Sequence, residues 1–169
     1  HGSTSSLPQF IGALDAVIEQ LGPVQALVGH SMGSLAIAMR LGDSRRPPPA
    51  DLARVVLIST PSGAPFLVES FEQLFGIDGA TREHGLRIFR QRFGGLPEEF
   101  MALPGDAQLH LPVLLVHDAA DDVVPFDHSA QLARRLPDAS LITTHGLGHS
   151  GPLRDPATLT AIADFLDAV

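Results

Sequence analysis

Four short, nearly continuous apolar runs punctuate this chain, and helical patterning fills the intervals between them. That alternation constrains the fold more than any other feature. The runs cover residues 24–28, 54–59, 113–117 and 140–144. Runs such as Val55-Val56-Leu57-Ile58 and Val113-Leu114-Leu115-Val116 hold no polar residue, which suits strands buried on both faces of a parallel sheet. Between the runs, apolar residues recur at helical spacing. They do so at Phe10, Ile11, Leu14, Val17, Ile18 and Leu21 before Gly22-Pro23, from about 32 to 41 before Gly42, from about 127 to 136 before Pro137, and from 155 to 166. Strands alternating with helices predict an α/β fold with a mostly parallel sheet covered by helices on both faces. At 169 residues the chain is expected to form a single domain, 1–169, with one core.

Residues 66–103 depart from this rhythm. They are irregularly helical and hold Phe66, Phe71, Phe75, Phe89, Phe93 and Phe100, six of the nine phenylalanines, so two or three short helices forming a lid are expected there. Phenylalanines at helical spacing usually serve packing, and no lid residue is assigned to the site.

Charge and composition exclude several functions. Nineteen acidic residues against 11 basic ones, all arginine, give a net charge of −8, with no basic stripe to hold a nucleic acid and no polybasic patch for a membrane. The chain has no cysteine, which removes disulfides, thiolate metal sites and cysteine nucleophiles. No apolar stretch is long enough to span a bilayer and no signal-peptide pattern opens the sequence, so a soluble, cytoplasmic protein is expected.

In doubly covered parallel sheets, active sites gather beyond the carboxyl ends of the strands. Three loops there carry chemistry. After the first run, Gly29-His30-Ser31-Met32-Gly33 matches G-x-S-x-G at a strand-to-helix turn, with glycines two before and two after the serine expected to relieve crowding. Ser31 is the candidate nucleophile; the plain alternative is a serine capping the helix. After the third run lie Asp118, Asp121 and Asp122, and after the fourth lie His145 and His149. A serine hydroxyl is a weak nucleophile unless a histidine takes its proton and a carboxylate holds that histidine in the right tautomer. The order serine, acid, histidine is the one this motif requires. Metal binding by His145 and His149, joined by His117, Asp118 or Asp121, is the competing reading. The glycines between the two histidines argue against a helical ligand pair, and neither a metal nor a cofactor is expected.

On these motifs the chain resembles the α/β-hydrolase family, especially small lidded serine esterase-like members, over essentially its whole length. Gly29-His30-Ser31-Met32-Gly33 resembles the nucleophile elbow, residues 116–125 resemble the acid loop G-x-x-D-x-x-V-P, and Gly146-Leu147-Gly148-His149 resembles the histidine loop. The acid loop's carboxylate falls on Asp121, with Asp118 standing where the family more often has glycine, and the base falls on His149. The resemblance implies a hydrolase of carboxylic esters or related acyl substrates, acting on a small-molecule substrate through Ser31, Asp121 and His149. The backbone N–H of Met32 would be one oxyanion donor. It also implies that the chain begins after the family's fourth strand, since His1-Gly2 resembles a turn found one helix and one strand before the serine. The second oxyanion donor would then lie outside the sequence, and the strand before Ser31 would be an open edge able to pair with another chain. A non-catalytic fragment or interaction module is the alternative on that count.

Overall fold

The computed structural model describes residues 6–102 and 109–168; His1-Gly2 and the end of the 66–103 segment lie outside them. Four strands form one sheet in the order β1-β2-β3-β4: β1 Ala26–His30, β2 Arg54–Ile58, β3 Val113–Asp118 and β4 Ala139–Thr144. All three pairings are parallel. Helix α1 Leu7–Leu21 precedes β1, α2 Met32–Gly42 joins β1 to β2, α5 Asp127–Arg135 joins β3 to β4, and α6 Pro156–Asp167 follows β4. Between β2 and β3 stand α3 Ala64–Phe75, α4 Gly79–Phe93 and a 3-10 turn at Pro97–Glu99.

Side-chain alternation along the strands assigns the two faces. Val55, Leu57, Val113 and Leu115 pack with Leu35, Ile37 and Leu41 of α2 and with Leu132 of α5, and α1 adds Leu7, Leu14 and Ile18 at the margin. Val56, Ile58, Leu114 and Val116 pack against Ile162, Phe165 and Leu166 of α6. Each fully buried leucine in this core, such as Leu57 or Leu115, contributes roughly 1.5–3 kcal/mol by leaving water. Helices cover both faces of β2 and β3, but coverage on both faces fails at β1. Val28 is 51% exposed, and among the described residues no strand pairs with the outer edge of β1.

The first strand is also displaced from its apolar run. Val24 and Gln25 precede it, and pairing extends instead through Gly29 and His30 to Leu57 and Ile58. Gly29 permits this because α2 lies directly on the strand: a Cβ there would stand 2.7 Å from Ile37 Cδ1 and 2.8 Å from the backbone of Ser34. Gly33, expected to serve the same purpose, does not; a Cβ at Gly33 would enter open space. Only the first glycine of the motif is a packing requirement.

Candidate active site

The strand ends bring the three loops together. Ser31 follows β1 directly and has φ 53° and ψ −120°, a backbone conformation that is costly for a residue with a Cβ and is held only where the surroundings impose it. Here the ladder and the helix impose it. Its N–H donates to Ile58 O at 2.9 Å, and its own C=O accepts from Leu35 N–H at 3.1 Å and from the Ser34 hydroxyl at 2.6 Å. The Ser31 side chain makes no capping bond, so the plain capping role does not account for it. Met32 opens α2, and the N–H of a first helical residue has no acceptor within its own helix.

Of the three candidate acids, the structure brings Asp121 to the histidine loop. Asp121 Oδ2 accepts a hydrogen bond from His149 Nδ1 at 2.8 Å, while Oδ1 accepts the N–H groups of Val123 and Val124, both at 2.9 Å. The carboxylate is shielded from solvent and the imidazole only 14% exposed. Burial by itself would raise the Asp121 pKa, but the Val124 N–H, His149 and Val123 N–H bonds outweigh it and hold the group below the ordinary carboxylate value. Asp122 is exposed.

Asp118 is fully buried and faces other partners. Its carboxylate accepts from Ala120 N–H at 2.9 Å, the Thr144 hydroxyl at 2.8 Å and Leu147 N–H at 3.0 Å. Burial again opposes ionisation, yet the bonds from Leu147, Thr144 and Ala120 lower its pKa from 3.8 to about 2. Since the folded state holds this proton more weakly than the unfolded chain, the stabilisation is complete above about pH 4 and is lost as the pH falls toward 2. Asp121 acts in the same direction. Urea midpoints are therefore expected to drop between about pH 5 and about pH 2.5, and to drop less in Asp118→Asn, which has no carboxylate to protonate. Equal slopes in the two proteins would remove Asp118 from the account.

Four further residues surround the pair without having been assigned to the site from sequence. His30 Nε2 hydrogen-bonds His149 O at 2.9 Å, and the two rings lie with centroids 4.7 Å apart. The residue next to Ser31 thus holds the main-chain carbonyl of His149 and lies beside its ring. Ser59, at φ 48° just beyond β2, donates its hydroxyl to the same His149 carbonyl at 3.3 Å. His117 is buried at the end of β3, with Nε2 2.9 Å from Val124 O and 3.2 Å from Asp121 Oδ2, and Nδ1 2.7 Å from Ser129 Oγ. Thr144, the fourth, is the Asp118 partner already described. A signal for His117 was present, since it is the polar end of a continuous apolar strand. Nothing local marks Ser59, whose role comes from its position beside another loop.

Ser31 Oγ and the His149 ring form no hydrogen bond with each other among the described residues. Such contacts commonly tighten only when substrate binds. Among the described residues, His145 makes no hydrogen bond to the Asp121–His149 pair. No group of His, Asp or Glu able to hold a metal ion is found among the described residues, and no described helix is long and apolar enough to cross a membrane. A cavity of about 820 Å³ opens between Ile11 and Asp15 of α1, Arg40 at the far end of α2, and Phe93 and Phe100. None of Ser31, Asp121 and His149 lines it.

The sequence matches the model of the alpha/beta hydrolase family over residues 1–163. Among curated proteins no significantly similar sequence was found. Solved structures do share the fold. Alpha/beta hydrolase domain-containing protein 10 from mouse superposes with a TM-score of 0.67 at 19% identity, covering 98% of this chain and 69% of that one. The esterase RhEst1 from Rhodococcus sp. ECU1013 gives 0.64 at 18% identity, with 99% and 77% covered. The monoacylglycerol lipase of Paleococcus ferrophilus gives 0.61 at 21% identity, with 96% and 75% covered. At these identities the likeness is one of fold, while the family match spans nearly all of the sequence. The chain belongs to the alpha/beta hydrolase family.

Proposed function

We propose that the chain is a serine hydrolase of carboxylic esters or related acyl substrates, acting through Ser31, His149 and Asp121. The observation that carries this reading is the hydrogen bond from His149 Nδ1 to the shielded Asp121 carboxylate at 2.8 Å, on a ring that lies against the residue before Ser31. With Nδ1–H donated to Asp121, the lone pair of His149 is on Nε2, the tautomer a general base requires.

The reaction follows from those roles. His149 Nε2 takes the Ser31 hydroxyl proton as Oγ bonds to the acyl carbon, and the carbonyl electrons move onto oxygen. The Met32 N–H stabilises that oxyanion. Collapse breaks the bond to the leaving group, which takes the proton from His149, and leaves Ser31 acylated. Water, deprotonated by His149, then attacks the acyl carbon; the bond to Ser31 Oγ breaks, Oγ takes that proton back from His149, and the carboxylic acid leaves. The helices between β2 and β3 are read as a lid over the acyl group.

An alternative, a non-catalytic module of the same fold, draws on the outer edge of β1, unpaired among the described residues, and on the exposed Val28 in that strand. Such an edge suits pairing with a second copy. Labelling with a fluorophosphonate probe separates the two. The native chain is expected to take up one probe per molecule, on a peptide containing Ser31, with none in Ser31→Ala. Folded protein that stays unlabelled would rule out the hydrolase reading in favour of the module.

A further inference from the structure

The Asp121–His149 bond joins two loops that leave different strands, and something must hold those loops in register. Asp118 touches both. It is the last residue of β3 and pairs across the sheet with Thr144, the last residue of β4. Its main-chain carbonyl accepts from Asp121 N–H at 3.2 Å. Its carboxylate accepts from Leu147 N–H in the histidine loop, from the Thr144 hydroxyl at the end of β4, and from Ala120 N–H in the acid loop. Ala119 N–H, donated to Thr144 O at 2.8 Å, closes the same junction.

His30 and Ser59 hold the histidine loop at the His149 carbonyl, but Leu147 lies two residues earlier. Leu147 stands between Gly146 at φ 76° and Gly148 at φ 64°, and glycine is the residue with the widest choice of backbone conformation. An anionic acceptor on Leu147 N–H therefore fixes the backbone between these two glycines, two residues before His149. The carboxylate is fully buried and is held by neutral donors, a costly arrangement in the absence of compensating hydrogen bonds.

Resting on the proposed triad, we infer that Asp118 is a positioning residue, acting through Leu147 and Thr144 to aim His149 at Asp121. An amide cannot replace it. The Asp118→Asn side chain would present its NH₂ either to Ala120 N–H or to Leu147 N–H, donor against donor, and Asp118→Gly would remove the clamp altogether.

The test compares native protein with Asp118→Gly, Asp118→Asn and Thr144→Val. Leu136→Ala, a core substitution at the opposite end of the sheet, serves as a control for lost stability. Two readouts are taken: steady-state hydrolysis of a short p-nitrophenyl ester, and the downfield proton NMR signal of His149 Nδ1–H, assigned by its loss in His149→Gln. Asp118→Gly and Asp118→Asn are expected to lower kcat about a hundredfold, as misplacement of a reacting group does, with KM within about twofold of native and the NMR signal broadened by solvent exchange. Thr144→Val, which keeps the Leu147 bond, is expected to lose about tenfold and covers the case in which the Asp118 variants do not fold. The inference is overturned if kcat and the signal survive in the Asp118 variants, if Thr144→Val matches native protein, or if Leu136→Ala shows the same kcat loss at equal Tm. The NMR comparison does not depend on turnover. An unlabelled, inactive native protein would refute the proposed reaction, while persistence of the signal in Asp118→Gly would refute the clamp.

Discussion

Ser31→Ala and His149→Ala are each expected to lower ester turnover by roughly 10⁶-fold, to a residue left by binding and the oxyanion donor alone. The size of the effect follows from division of labour. Without Oγ there is no nucleophile, and without the imidazole the hydroxyl keeps its proton at neutral pH. Since either loss disables the same step, the double variant should be no slower than the worse single one. Both side chains lie at the surface end of the sheet rather than in the core, Ser31 at the start of α2 and His149 14% exposed, so the variants should keep the native Tm within a few degrees. Steady-state kinetics with a p-nitrophenyl ester provide the measurement. Retention of more than a hundredth of native kcat in either variant would contradict the assigned roles.

The second large effect belongs to Asp121→Asn, expected to cost about 10⁴-fold in kcat. Oδ1 of Asp121 receives two main-chain N–H groups, from Val123 and Val124, so an amide must keep its oxygen there and turn its NH₂ toward His149. That NH₂ donates to Nδ1 and forces the proton onto Nε2, where a base is needed. The same NH₂ also faces His117 Nε2, 3.2 Å away from the atom it replaces. Asp122→Asn, on an exposed neighbour, should leave kcat within about twofold, since surface substitutions away from such networks do little. If Asp122→Asn and Asp121→Asn proved equally slow, the acid would be wrongly placed.

Much of the fold was legible because its signals are local. The α1 helix ends where Gly22-Pro23 stop the apolar spacing, and the runs read at 54–59 and 113–117 are the strands Arg54–Ile58 and Val113–Asp118, each built on four consecutive apolar residues, 55–58 and 113–116. The first strand was legible only in part. Its apolar residues lie at 24–28, but pairing begins at Ala26 and continues through Gly29-His30, since ladder formation with β2 and contact with α2 outweigh hydrophobicity. Gly33 was misread for the same reason: whether a Cβ clashes depends on what packs there, and nothing does. For the site, motif order and loop position pointed to Ser31 and to two loops holding an acid and a histidine, and the family resemblance put the roles on Asp121 and His149; Asp118 stood only as a rival acid, while His30, Ser59 and Thr144 received no role because their partners are distant in sequence.

Sequence alone determined the α/β alternation, the serine turn, and the two loops able to supply an acid and a base. Those depend on periodicity and on residue types within a few positions of one another. Only the tertiary structure decided that Asp121, not Asp118, bonds His149, and that Asp118 instead ties the two loops together. The three aspartates are chemically alike and lie within five residues. What separates them is direction at the end of β3: one carboxylate turns inward beneath the histidine loop, one turns toward the imidazole, and one points to solvent.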